Sequence, residues 1–175
     1  MNADRNKPLV AIDVGNSQIM AGLFSHHAAD AVGTPLPQPQ RILSLETQDW
    51  NPMEWAQWLA PMRPGDVDWC IGSVCDQASD SLLAWLEKES DKPLVRILDF
   101  KDLLIEIEIP NPASIGIDRL LGAVAANCIR PLDRPSIVID LGSAITVDVI
   151  SAQGSFLGGA ILPGIQMSGR ALHAF

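Results

Sequence analysis

A strand, an Asp, one apolar residue, a Gly, a small polar residue and a second apolar run occur in that order twice in this chain. The first copy is Val10-Ala11-Ile12-Asp13-Val14-Gly15-Asn16-Ser17, and the second is Val138-Ile139-Asp140-Leu141-Gly142-Ser143-Ala144-Ile145-Thr146. In each copy the Asp stands at the strand tip, and the Gly lets the backbone reverse without a Cβ clash. The hydroxyl, amide and N–H groups past the Gly can then grip phosphate oxygens or order a cation's water shell. A single Asp-x-Gly turn is ordinary hairpin punctuation. Two of them, each opening an apolar hairpin, predict a duplicated α/β domain that closes on a nucleotide from both sides.

The elements around these loops follow from periodicity. Pro8 to Ile12, Ile19 to Phe24 and Arg41 to Leu45 read as strands, with a Pro-broken loop over residues 25–39. Asn51 or Asp49 is placed to cap a short helix carrying Met53, Trp55, Trp58 and Leu59, whose indoles read as core anchors. Val67 to Val74 and Leu94 to Leu98 have the continuous apolar character of buried strands, and Asp80 to Lys88 between them has helical spacing. Strand, helix, strand at these distances predicts a parallel βαβ unit. The domain junction is expected between Phe100 and Pro112, where Pro110-Asn111-Pro112 breaks the chain, with one domain over residues 1–109 and a second over residues 110–175. In the second, Ile117 to Ile129 reads as a helix, followed by strands Ser136 to Leu141, Ile145 to Ser151 and Phe156 to Leu162, and a helix Gln166 to Ala174. Far less chain follows the second loop than the first, so the second domain is expected to lack its closing βα units.

Charge and composition remove several classes of function. A net charge of −9 offers no basic face for a nucleic-acid backbone, whereas a nucleotide can be held by local N–H groups and a metal. No apolar run is long enough to span a membrane, and the polar residues before Pro8 do not resemble a secretory leader, so a cytoplasmic location is expected. Cys70, Cys75 and Cys128 fit small buried thiols in a reducing compartment. His26 and His27 read as residues of a solvated loop, and His173 carries no signal.

Asn111-Pro112-Ala113-Ser114-Ile115-Gly116-Ile117-Asp118-Arg119 puts an acid and a base at the start of a helix. A helix N-terminus attracts anions, and an Arg there can clamp a carboxylate or phosphate. Asp118 is equally well read as a first-turn Asp that the helix dipole favours.

Together the three segments resemble the type III pantothenate kinases, of the actin/Hsp70/sugar-kinase superfamily. The matching parts are Asp13 to Ser17, Asn111-Pro112 with Gly116 to Arg119, and Asp140 to Asp148 continuing into Gly158-Gly159-Ala160-Ile161-Leu162-Pro163-Gly164. The resemblance implies duplicated RNase H-like (actin-like ATPase) domains, the second incomplete. It also implies ATP-dependent phosphorylation of pantothenate, the first step of coenzyme A biosynthesis, by a homodimer. Asp13, Val14, Gly15, Asn16, Ser17, Gln18, Ile19 and Met20 would form the first ATP loop, and Ser143 would belong to the second. Asp118 would be the catalytic base, with Gly116, Ile117, Asp118 and Arg119 contacting pantothenate. Asp140 would bind a monovalent cation (K+ or NH4+), and Mg2+ would accompany the ATP. The small residues Gly122, Ala123, Ala125 and Ala126 of the following helix would pack against a symmetry mate.

The chain departs from the family pattern at Ile145, where a hydroxyl is usual in the second loop. It departs again at Ile109, where a substrate-contacting Tyr is usual. Family members also continue beyond the equivalent of Phe175 and carry there a Thr that contacts substrate. A second reading, from another class, is a non-catalytic relative acting as a regulatory or accessory factor. Retention of Asp13, Asp118, Arg119 and Asp140 favours the enzyme.

Overall fold

The structure, a computed structural model, describes residues 7–25, 36–90, 94–131 and 133–174. His26, His27 and most of the first long loop lie outside the described residues. The chain divides into two compact units, one built on Pro37–Asp99 together with the N-terminal strands, the other on Phe100–Phe175.

In the first unit β1 (Leu9–Val14), β2 (Gln18–Phe24) and β3 (Arg41–Glu46) form an antiparallel run, and β4 (Asp68–Ser73) and β5 (Val95–Ile97) extend it in parallel. The strand order is β3-β2-β1-β4-β5. Parallel pairing of β4 and β5 requires a crossover, which α2 (Asp76–Glu89) provides. The helix starts a turn before the sequence expectation. Ala78 and Ser79 are buried and continue the stripe through Leu82 and Leu86, and the Ser79 N–H donates to the Cys75 carbonyl.

Helix α1 (Pro52–Leu59) starts where Asn51 caps it. The Asn51 side-chain oxygen accepts from the N–H groups of Met53 and Glu54 at 3.0 and 3.2 Å, and the Glu54 carboxylate accepts from the Asn51 N–H at 3.3 Å. The helix buries Trp55, Trp58 and Leu59. The Trp55 ring centre lies 5.9 to 6.0 Å from those of Trp58, Trp69 and Trp85, so the indoles are core, as their spacing suggested.

The second unit holds α3 (Ile117–Ile129), β6 (Ser136–Leu141), β7 (Ala144–Ile150), β8 (Phe156–Pro163) and α4 (Ile165–Ala174). Its sheet is an antiparallel meander in the order β6-β7-β8. Leu120 and Ala123 of α3 are fully buried with Ile150 and Phe156, and Gly122 sits over Val138 of β6. Gly122 and Ala123, read from the sequence as close-packing residues for a second copy, therefore serve their own sheet.

The division between units falls at Phe100, at the start of the stretch between Phe100 and Pro112 where the sequence places the junction. The reason is a bridge that local sequence does not show. Ile107 pairs with Phe156, the Phe156 N–H donates to the Glu106 carbonyl, and the Glu108 N–H donates to the Phe156 carbonyl. Phe100, Leu103, Ile105 and Ile107 pack on the second core. None of the three Cys forms a disulfide, and each is half-buried rather than fully enclosed.

Candidate active site

The first Asp-x-Gly loop joins β1 to β2, with Asp13 opposite Met20 and Val14 opposite Ile19. Strand alternation sends Val14 and Ile19 into the core and leaves Asp13, Asn16, Ser17, Gln18 and Met20 on the surface. The turn is closed by the Gly15 N–H donating to the Gln18 carbonyl at 2.9 Å. Thr47, the buried residue just past β3, holds it from the side. Its N–H donates to the Ser17 carbonyl at 3.0 Å and its hydroxyl to the Gly15 carbonyl at 2.8 Å.

In the second unit the β6–β7 turn is one residue tighter, and the Gly142 N–H closes it by donating to the Ala144 carbonyl at 3.0 Å. Asp140 and Ser143 are exposed at its rim, and the Gly164 N–H donates to the Ser143 carbonyl at 3.1 Å. A Cβ on Gly164 would fall inside the carbonyl oxygens of Gly142 and Ser143, so only glycine fits.

The segment before α3 is shaped by Asn111, whose carbonyl accepts from the N–H of Ser114 at 3.1 Å and from its hydroxyl at 2.7 Å. Gly116 then leads into the helix with no side-chain cap, and Asp118 sits half-buried in the first turn. One carboxylate oxygen accepts from the Arg119 N–H at 2.8 Å. Ile109, where the family pattern has a Tyr, packs near the backbone of Gly158 on β8.

Arg119 has a partner that the sequence reading gave no role. Its Nε lies 3.0 and 3.2 Å from the two oxygens of Asp148, and a terminal guanidinium nitrogen bonds the nearer one as well. The guanidinium carbon stands 5.7 Å from the centre of the Phe156 ring. Asp148 is 1% exposed, so its charge is one that folding buries only with a cation supplied. The signal was present in the sequence: Asp148 shares the strand face of Thr146 and Ile150, where an apolar residue is expected. Gly159 answers it from β8, since a Cβ there would collide with Asp148 and the Val147 carbonyl. Thr47 had no comparable signal.

The described residues contain no group of three His, Cys, Asp or Glu side chains able to cage a metal ion. Asp140 offers one exposed carboxylate at the end of β6, and Mg2+ generally takes most of its ligands from phosphates and water.

The sequence model of the type III pantothenate kinases matches residues 9–175. The chain belongs to the type III pantothenate kinase family. Relatives named type III pantothenate kinase include one from Rhodopirellula baltica, 37% identical over 94% of this chain and 65% of its own length. Another, from Thermomicrobium roseum, is 30% identical over 94% of this chain and 62% of its own. A third, from Acidiphilium cryptum, is 52% identical over 69% of this chain and 47% of its own. This pantothenate kinase family member thus spans less than two thirds of the length of those curated relatives. A crystal structure of MreB 5 of Spiroplasma citri bound to AMPPNP aligns at TM-score 0.40 and 15% identity, over 90% of this chain and 52% of that one, a likeness too loose to bear on the fold.

Proposed function

We propose that the chain takes part in ATP-dependent phosphorylation of pantothenate to 4'-phosphopantothenate, the first step of coenzyme A biosynthesis. The supporting observation is the family match over residues 9–175, with Asp13, Asp118, Arg119 and Asp140 at their motif places. Its two units are read as RNase H-like repeats, because in each an Asp-x-Gly loop joins the first two strands of an antiparallel run and the third strand lies against the second. In this reading Asp13 to Met20 and Ser143 hold the ATP phosphates, and Gly116 to Arg119 with Ile109 face pantothenate. Asp118 accepts the proton of the primary hydroxyl as its oxygen attacks the γ-phosphorus and ADP leaves. A monovalent cation at Asp140 offsets the repulsion between that carboxylate and the triphosphate.

The test is Asp118→Asn in an assay of ADP release with ATP and pantothenate. The variant keeps shape and hydrogen bonding but removes the base, so turnover should fall by about 10²–10⁴-fold with nucleotide binding retained. Turnover within a few-fold of the parent would remove Asp118 from the role.

The same reading makes the protein a cytoplasmic homodimer. No described helix is long and apolar enough to cross a membrane. Ala125 is the suitable interface probe, since it lies about 200° around α3 from the buried Ala123. Ala125→Glu should shift the sedimentation of the parent dimer toward monomer, and a parent that sediments as monomer refutes the dimer.

A further inference from the structure

The clamp on the two Asp-x-Gly loops is the same in both units. In the first, the residue immediately after the third strand (Thr47, after Glu46) donates its N–H to the residue immediately before the second strand (Ser17, before Gln18). In the second unit Gly164, after Pro163, donates its N–H to Ser143, before Ala144. Hairpin closure alone does not require this bond, because the Gly15 to Gln18 and Gly142 to Ala144 bonds already close the turns. The two units then strengthen the clamp differently. Thr47 adds its hydroxyl to the Gly15 carbonyl, and Gly164 gives up its side chain so that its backbone can reach the loop.

A carbonyl oxygen facing a triphosphate repels it, and a peptide plane that can flip between presenting N–H and C=O makes a poor anion site. Bonding the carbonyls of Gly15 and Ser17 to one buried residue fixes both planes in advance. We infer that Thr47 is a positioning residue for nucleotide phosphate, holding the first loop in its anion-binding form, and that Gly164 is its counterpart at the second loop. This rests on the reading of residues 13–20 as the first ATP loop.

Thr47→Val keeps the branched shape and removes the hydroxyl, while Thr47→Ser keeps the hydroxyl. Calorimetric titration of the protein with MgATP and with adenosine separates phosphate binding from general damage. Thr47→Val should bind ATP about ten-fold more weakly, equivalent to about 1.4 kcal/mol, with adenosine within about two-fold of the parent. Thr47→Ser should match the parent for both. Amide exchange should quicken at residues 15–18 in Thr47→Val and stay unchanged at residues 9–12. Thr47→Ala, which cannot overpack, repeats the test should the valine variant not fold. Unchanged ATP affinity, or an equal loss for ATP and adenosine, overturns the inference. A parent chain that binds no ATP overturns the nucleotide reading of the loop instead, and shows it before any substitution is made.

Discussion

Arg119 is the residue whose sequence reading and surroundings differ most. The motif resemblance reads it as a substrate contact; in the fold its guanidinium is bonded along one edge by Asp148 and set over Phe156. Such an arrangement fixes the plane of an Arg, and a planar fork is what bidentate recognition of a carboxylate uses. Asp148→Ala would strand that guanidinium in the interior. It should cost the second unit about 3–5 kcal/mol, the range for breaking a buried pair from one side. Denaturant unfolding followed by far-ultraviolet circular dichroism reads this, and a loss below about 1 kcal/mol would mean that Arg119 finds solvent or another partner at once. Gly164→Ala tests a different kind of constraint, because the added methyl meets backbone oxygens and not a movable side chain. It should destabilise the second unit, while Gly169→Ala, whose Cβ meets nothing within 4 Å, should not.

Among the elements, those with a clear period were legible in the sequence. Helix α3 was read over Ile117 to Ile129 and β6 over Ser136 to Leu141, the bounds that form, because each carries its apolar stripe or alternation to its ends. Helix α1 was legible through its cap. Asn51→Ala removes the acceptor for two N–H groups and should cost about 1 kcal/mol, measured as a shift in the denaturation midpoint of the first unit. An unchanged midpoint would show that the Trp55 contacts alone hold the helix. The first turn of α2 was missed because Asp76-Gln77-Ala78-Ser79 looks polar, although its two small residues are the buried ones. The bridge from Ile107 to Phe156 was missed for a different reason: pairing between residues so far apart leaves no local period. At the candidate site the loops and Asp118 were legible as motifs. Their supports act through tertiary contacts: Thr47 left no signal in the sequence, Gly164 stood in a motif without a role, and Asp148, which holds Arg119, showed only as a charge on an apolar strand face.

For the molecule as a whole, the two units differ in how much apolar surface they cover. On β6, Ile137, Ile139 and Leu141 are 64%, 61% and 68% exposed, and register sets them beside Val149, Val147 and Ile145 of β7. A contiguous apolar face of this kind binds hydrophobic dyes. The protein should therefore enhance ANS fluorescence, and Ile137→Lys with Ile139→Lys should abolish most of the signal; a parent that leaves the dye dark would show the face covered in solution. The indoles have the opposite distribution. All five Trp lie in the first unit and the chain has no Tyr, so near-ultraviolet absorption and emission are almost entirely properties of one half of the protein. Fluorescence melting would follow the Trp55 cluster and remain blind to the sheet that carries Asp140 and Asp148. A variant such as Asp148→Ala could lose the second unit while its emission spectrum stayed native. Indole emission and backbone dichroism should then trace separate transitions in one sample, and their coincidence would mean that the two halves melt as a single cooperative body.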